Sequence, residues 1–236
     1  MLLRNARTLW LPALLTILCA TSAEAASITY GDFTGSTLGY LGVRESSITD
    51  GVPLYGTPTL SGDALLFGAP TYATSAAGGW ADTTSGTLSF TLEALSGFLG
   101  KISFQEGGRF ALTGAVGVPG DAQVQISGLL TVTDFSSGLA GTVYSATLVV
   151  SPQGVFALPS SSSGSWTASA GVDLTGLGIT RAKVVFNNTL QSAAGIGSSA
   201  TAAKSLISVN VPEPGTVLLV GAGLAGLGVT GRRRKA

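Results

Sequence analysis

Three glutamates offer this chain its most direct route to catalysis. Two carboxylates about 5–9.5 Å apart can hydrolyse a glycosidic bond, and Glu45, Glu93 and Glu106 are the candidates. Glu93 falls on the polar side of an alternating segment, which predicts a charge that faces solvent. Glu106 precedes Gly107-Gly108, which predicts a turn at the end of a strand. A glycan-cleaving enzyme is therefore an alternative function and not the favoured one.

Two tryptophans, Trp80 and Trp166, could serve as flat platforms for sugar rings. Large aromatic side chains more often stabilise a core, so we expect both to be buried or half-buried. On one exposed sheet face they would favour a carbohydrate-binding module. Burial of both would count against such a module.

The histidine and cysteine on which the common hydrolases rely are absent from the central region of the sequence. The chain has no histidine, and its single cysteine is Cys19. Ser-His-Asp and Cys-His catalysis and imidazole zinc sites are therefore excluded. The segment Thr201-Ala202-Ala203-Lys204 has the lysine of an S-x-x-K motif but lacks its serine. We expect the protein not to be an enzyme.

Calcium is the alternative cofactor, because it binds oxygen ligands supplied by loops. Four aspartates adjoin turn-forming residues: Asp32, Asp50, Asp63 and Asp134. None falls in a repeated D-x-D pattern, so we interpret them as residues that shape turns. The expected result is no metal site and no cofactor.

The charge of the central region excludes one class of partner. Residues 26–211 hold six basic and ten acidic residues, a net charge of −4. A protein that binds nucleic acid needs enough positive charge to neutralise phosphates. We therefore expect no nucleic-acid partner.

Alternating apolar residues indicate the elements that must position these side chains. The region is rich in Gly, Ser, Thr, Ala and Val, and several segments alternate with the period of a strand. The predicted inward residues are Leu88, Phe90 and Leu92; Ile102 and Phe104; Val124, Ile126, Leu130 and Val132; Tyr144, Ala146, Leu148 and Val150; Ala182, Val184 and Phe186; and Ile207, Val209 and Val211. A slip at Gly128-Leu129 predicts a β-bulge.

These segments predict one all-β domain over residues 26–211. Glycine and proline separate some nine to twelve short strands without an amphipathic helix, which favours a single antiparallel β-sandwich, jelly-roll-like in type. A β-solenoid is the alternative, although no period repeats. Residues 160–164 and 193–203 are predicted loops.

The first 25 residues predict a secretory signal peptide, which forms an N-terminal signal helix before the β-sandwich. Arg4 and Arg7 precede an apolar stretch from Leu9 to Ala20. Ala23 and Ala25 then give the small-x-small pattern that signal peptidase cleaves. We predict cleavage after Ala25, with Ala26 as the alternative, and export through Sec-type machinery.

The last 25 residues combine three features in order. Pro212-Glu213-Pro214 biases the chain towards an extended, accessible conformation. Residues 216–230 are apolar and uncharged, and as a helix they would cover about 22 Å of the ~30 Å membrane core. The basic cluster Arg232, Arg233, Arg234 and Lys235 should stay on the cytoplasmic side. Both termini therefore place the central domain outside the membrane.

This tail resembles the PEP-CTERM sorting domain of Gram-negative bacteria. The resemblance covers residues 212–236 and includes the proline motif, the apolar helix and the basic cluster. It implies that an exosortase, a membrane-embedded processing enzyme, acts at or near Pro212-Glu213-Pro214. It also implies a source that makes exopolysaccharide and biofilm.

The favoured function is an exported surface or extracellular-matrix protein without enzymatic activity. Its precursor would be tethered transiently to the inner membrane, and its product would lie at the cell surface or outside the cell. Signal peptidase, the export machinery, an exosortase and exopolysaccharide are the expected partners. A carbohydrate- or calcium-binding module is the first alternative.

Overall fold

The computed structural model describes residues 26–69, 71–114 and 121–211. The predicted signal peptide and the predicted sorting tail, each with its helix, lie outside the described residues. The described part is built from 14 β-strands. The strands are β1 (Ala26–Thr34), β2 (Leu38–Ser47), β3 (Thr59–Ser61), β4 (Ala64–Phe67), β5 (Ala73–Ala77), β6 (Ala81–Ala94), β7 (Lys101–Thr113), β8 (Ala122–Asp134), β9 (Val143–Thr147), β10 (Val149–Ser151), β11 (Val155–Ala157), β12 (Ser163–Asp173), β13 (Arg181–Ala194) and β14 (Ser199–Asn210). Within these ranges, no helix has the length and apolar character needed to span a membrane.

The strands form two seven-stranded antiparallel sheets. The first sheet has the order β1-β2-β6-β13-β8-β11, with β9 also paired to β8. The second has the order β10-β12-β7-β14-β4-β3, with β5 also paired to β14. The predicted antiparallel β-sandwich is confirmed, while its jelly-roll type stays a prediction. The structure has more strands than the nine to twelve predicted. The additional ones are short strands of three to five residues, such as β3 and β11, in which alternation is too brief to be recognised.

The inward side chains of the two sheets form one core. Leu88, Phe90 and Leu92 of β6 are buried, as predicted from their alternation. Phe104 of β7 lies 4.4 Å from Phe186 of β13, ring centroid to ring centroid, so rings from opposite sheets meet. Full burial of one such side chain stabilises the fold by about 1.5–3 kcal/mol.

The predicted bulge at Gly128-Leu129 is wrong. The pairing of β8 with β13 runs without a shift, with Gly128 opposite Asn188 and Leu129 opposite Asn187. Gly128 therefore takes an inward position, and Leu129 faces outward with 40% of its surface exposed. The side chain of Leu148 covers the glycine, which explains why the strand needs no larger residue there.

Two predicted loops are shorter than expected. Ser163 and Gly164 already belong to β12, and the loop between β13 and β14 spans only residues 195–198. Ala200 and Ala202 are buried in β14. Their side chains alternate between the two faces of the strand, but alanine is too small for this alternation to predict a buried strand from the sequence.

One predicted stripe is divided between the two sheets. Tyr144 and Ala146 lie on β9 in the first sheet, whereas Val150 lies on β10 in the second. Leu148 marks the crossing, and its N–H donates a hydrogen bond to the carbonyl of Gly128 at 2.9 Å. All four side chains still pack against the core.

Candidate functional site

Strand β14 leads directly into the predicted sorting segment. It lies in the interior of the second sheet, next to β7 and the short strands β4 and β5. Ser103 Oγ donates a hydrogen bond to the carbonyl of Asn210 at 3.1 Å, and Val211 is buried. The domain is therefore held firmly up to the residue before Pro212.

Most of the predicted processing residues lie outside the described part. These are Ala23 and Ala25, Pro212, Glu213 and Pro214, and the basic cluster from Arg232 to Lys235. Ala26, the alternative cleavage residue, is the first residue of β1. The two cleavage sites stay predictions.

Three polar side chains meet in the middle of the core. Glu106 and Lys204 extend from β7 and β14, neighbouring strands of the second sheet, and Asn188 extends from β13 in the first sheet. Lys204 Nζ lies 2.7 Å from Glu106 Oε2. Asn188 Nδ2 donates a hydrogen bond to the same oxygen atom. We call Glu106, Asn188 and Lys204 the core trio.

Aromatic rings enclose the core trio. The centroid of the Tyr72 ring lies 4.3 Å from Lys204 Nζ, and that of the Trp166 ring lies 5.9 Å from it. An ammonium group is attracted to the face of such rings. The Tyr72 hydroxyl donates a hydrogen bond to the carbonyl of Asn188 at 2.5 Å and accepts one from the N–H of Gly86 at 2.8 Å.

Glycines inside two strands make room for these rings. A Cβ atom on Gly108 would lie 2.6 Å from Cζ2 of Trp166, and one on Gly86 would lie 2.9 Å from the ring of Tyr72. Glycine inside a strand often marks such a close approach. The prediction that Glu106 lies in a turn is therefore wrong. Gly107-Gly108 is the middle of a 13-residue strand.

Burial changes the protonation of the core trio's lysine. It lowers the pKa of Lys204 to about 8, although the neighbouring Glu106 opposes part of the change. Burial, followed by the charge of Glu106, raises the pKa of Tyr72 well above its usual value. Tyr72 is therefore a neutral hydroxyl.

The hydrogen bonding around the core trio is incomplete. Glu106 Oε1, Asn188 Oδ1 and Trp166 Nε1 are buried and have no partner in the described structure. A buried polar atom without a partner costs about 1–3 kcal/mol. Such atoms in a native core require an explanation.

The other two predicted glutamates are placed differently. Glu45 is buried, and its carboxylate accepts hydrogen bonds from the Tyr30 hydroxyl at 2.6 Å and from the N–H of Leu54 at 2.6 Å. Glu93 is half-buried on β6. The three glutamates do not share an open cleft, and Glu45 has the contacts of a structural residue.

The two tryptophans lie in different environments. Trp166 is only 2% exposed in the core, as expected, but Trp80 is 76% exposed and its predicted burial is wrong. Gly78 and Gly79 have φ angles of 66° and 94°, in the left-handed region. They form the β5–β6 turn that carries Trp80 away from the core. The two rings therefore do not form a shared platform.

The four aspartates proposed for calcium have local partners. Asp63 accepts hydrogen bonds from the Thr37 N–H at 3.1 Å and from the Thr37 hydroxyl at 2.6 Å. Asp50 and Asp134 accept from residues in or beside their own turns, and Asp32 on β1 accepts from the N–H of Gly42 on the neighbouring strand β2. Residues 26–69, 71–114 and 121–211 contain no group of three or more acidic side chains that could hold a metal ion.

A shallow groove of about 540 Å³ crosses the outer face of the second sheet. Gln105, Thr167, Ser169 and Ser205 contribute amide and hydroxyl groups to it. Glu106 belongs to this part of β7, but its side chain is turned into the core and only 1% exposed. Among the described residues that line the groove, none is aromatic.

Comparison with known families identifies the segment that follows β14. Residues 210–235 match the family described as "PEP-CTERM protein-sorting motif". The chain carries a PEP-CTERM sorting motif. The PEP-CTERM motif begins at the last residue of β14, and it implies an exported, membrane-anchored precursor with an exosortase as its processing partner. No curated protein sequence matches the chain.

The solved structures to which the chain is similar do not indicate a ligand for it. TmCBM61 in complex with β-1,4-galactotriose is 13% identical, covers 63% of this chain and 71% of its own, and gives a TM-score of 0.22. A carbohydrate binding module of family 29 is 12% identical, with 79% and 89% covered and a TM-score of 0.16. A loop-swap mutant of Xyn11A from Necallimastix patriciarum is 10% identical, with 79% and 100% covered and a TM-score of 0.19. None of these TM-scores reaches the level at which a shared fold can be argued.

The three members of the core trio do not stand out together in the sequence. Glu106 was predicted as a candidate catalytic carboxylate and as a turn residue, Lys204 was noted only within an incomplete S-x-x-K motif, and Asn188 was given no role. The usable signal was the set of glycines inside long strands, Gly86, Gly108 and Gly128, which pair with trio residues in the sheets.

Proposed function

We propose that the protein is an exported cell-surface or extracellular-matrix protein without enzymatic activity, which an exosortase processes at its C-terminal sorting signal. The observation that carries this proposal is the PEP-CTERM motif at residues 210–235. The product associates with exopolysaccharide in a biofilm.

The proposed route uses both ends of the chain. Sec-type machinery exports the domain, and signal peptidase removes residues 1–25. The apolar segment 216–230 then holds the precursor in the inner membrane, and Arg232–Lys235 remain in the cytoplasm. Val211 is buried at the end of the described domain, and we propose that the exosortase acts on Pro212-Glu213-Pro214 directly after it.

The groove on the second sheet provides a place where a polysaccharide could contact the domain. Its amide and hydroxyl groups can exchange hydrogen bonds with sugar hydroxyls. An exposed aromatic ring would add a stacking surface, but Trp80 lies on the β5–β6 turn and Trp166 lies in the core. We therefore propose a weak, coating association rather than tight recognition of one glycan.

The sorting motif can be tested by replacing Pro212, Glu213 and Pro214 with alanine in the native host. The expected result is loss of nearly all processed protein and accumulation of full-length precursor in the inner membrane, because the exosortase no longer finds its motif. Fractionation and intact mass of the tagged protein measure both effects.

A matched control is a triple-alanine variant of Ser160, Ser161 and Ser162 in the loop before β12. This variant changes the same number of residues and should be processed like the wild type. If the Pro212–Pro214 variant is also processed and localised like the wild type, the proposed sorting is wrong.

A further inference from the structure

The core trio has the composition of a self-modifying site. It joins a primary amine, Lys204 Nζ, a carboxamide, Asn188, and a carboxyl group, Glu106, that contacts both. Because the amine and the carboxamide bond to the same carboxylate oxygen, they are held side by side. This is the proximity that makes an otherwise very slow amide exchange effectively unimolecular.

The surroundings favour a nucleophilic amine. The side chains of Lys204 and Glu106 are 0% and 1% exposed, and Tyr72 and Trp166 lie against the ammonium group. Burial without water disfavours the charged form of a lysine, and desolvated lysines are the ones that proteins use as nucleophiles. The lowered pKa of Lys204 agrees with this geometry.

We propose that Lys204 and Asn188 form an intramolecular amide bond, with Glu106 as the catalytic proton-transfer group. The bond links Lys204 Nζ to Asn188 Cγ and releases ammonia. It requires no oxidant, metal or cofactor, and it is independent of the proposed sorting function.

Each proton in the reaction has a donor and an acceptor. The Lys204 ammonium first gives a proton to the Glu106 carboxylate, which leaves a neutral amine. The amine attacks Asn188 Cγ, and the carbonyl electron pair moves to Oδ1. Glu106 transfers a proton to the departing nitrogen, the Cγ–Nδ2 bond breaks and ammonia leaves. Glu106 takes the surplus proton of the new amide nitrogen and ends as a neutral carboxylic acid.

The product explains the incomplete hydrogen bonding of the core trio. Before the reaction, Glu106 Oε1 and Asn188 Oδ1 are buried acceptors without donors. Afterwards, the protonated carboxyl group of Glu106 can donate to Oδ1, and the new amide N–H can donate to the carboxyl group. The core then contains no ionised group of the core trio, which removes the desolvation cost of the buried ion pair.

The bond would connect the two sheets at a position that matters for an anchored protein. Asn188 lies on β13 in the first sheet and Lys204 on β14 in the second. Strand β14 is the strand that continues into the sorting motif, so tension on the tail acts on it first. The described domain has no cysteine for a disulfide. The amide bond would stop β14 from peeling away beyond Lys204.

Intact mass and a tryptic digest of the wild-type protein purified from its host test this proposal. The expected mass is about 17 Da below the value calculated for the sequence between the two termini identified in the digest, for the loss of one ammonia molecule. Trypsin should also fail to cleave after Lys204, because its amine is acylated. A full mass with cleavage after Lys204 would overturn the proposal. The mass loss with normal cleavage would overturn it too, since it would indicate a cyclised asparagine.

Variants assign the roles of the three residues. Glu106→Gln and Lys204→Arg should each retain the full sequence mass. Asn188→Asp should lose about 18 Da as water and give the same linked product as the wild type. The matched control is Asn187→Ala, which changes the exposed neighbour on β13 and should still lose ammonia. If a variant fails to fold, the wild-type mass and digest still decide the question.

Discussion

Replacing Lys204 with methionine lowers the free energy of unfolding by about 3–5 kcal/mol, because it leaves a carboxylate unpaired in the core. Lys204 Nζ lies 2.7 Å from Glu106 Oε2, and both side chains are buried. Methionine fills a similar volume but cannot neutralise Glu106 or donate to it. If Lys204 is linked to Asn188 instead of paired as an ion, the substitution removes that bond and leaves Glu106 without its partner, and the loss increases.

Urea unfolding of the purified full-length chain measures the effect, with Lys183→Met as the matched control. Lys183 lies on β13 with an exposed side chain, so its substitution should change the free energy of unfolding by less than about 0.5 kcal/mol. Equal stability of the two variants would contradict the assignment of Lys204 to a buried ion pair.

Adding a single methyl group at Gly108 destabilises the fold by about 3 kcal/mol or more. The Cβ atom of an alanine there would lie 2.2 Å from the carbonyl oxygen of Ala203 and 2.6 Å from Cζ2 of Trp166. The first of these is a backbone atom of the neighbouring strand β14, which cannot rotate away. Either β14 separates from β7, or Trp166 leaves its place beside the core trio.

The adjacent residue provides the control for this prediction. A Cβ atom on Gly107 would lie 3.5 Å from the nearest atom, which is an ordinary contact. Gly107→Ala should therefore stay within about 1 kcal/mol of the wild type. Thermal or urea unfolding compares the two variants. Similar losses of stability for both variants would contradict the explanation that Gly108 is required because it makes room for Trp166.

Alternation allowed the architecture to be predicted where inward residues are large. Leu88, Phe90 and Leu92 indicated β6, and Ala182, Val184 and Phe186 indicated β13. Apolar side chains at every second residue lie on the same face of a strand, and that face is buried when it packs against the core. The same rule failed where the inward residue is glycine or alanine. Gly128 was interpreted as a slip, and the region of Ala200 and Ala202 as a loop.

The core trio could not be predicted from linear spacing. Glu106 is far from its partners in sequence, and the contact depends on β7, β13 and β14 meeting across two sheets. A charged residue beside two glycines normally indicates a turn. Here Gly108 leaves room for the ring of Trp166, and that close approach appears only in the folded molecule.

The sorting motif, unlike the core trio, could be predicted from linear spacing. Pro212-Glu213-Pro214, the apolar segment and the basic cluster are continuous in sequence, so they can be recognised without knowledge of the fold. The motif could therefore be predicted from the sequence and was found at residues 210–235. What the structure adds is the buried strand β14 directly before it, which separates the folded domain from the segment to be processed.

The C-terminus of the mature protein tests the central claim most directly. The protein is recovered from the outer surface or medium of its native host, and its last peptide is identified by mass spectrometry. We predict that the chain ends at or near Pro212-Glu213-Pro214 and that no peptide from residues 216–236 remains. Mature surface protein that continues to Ala236 would contradict processing at the PEP-CTERM motif.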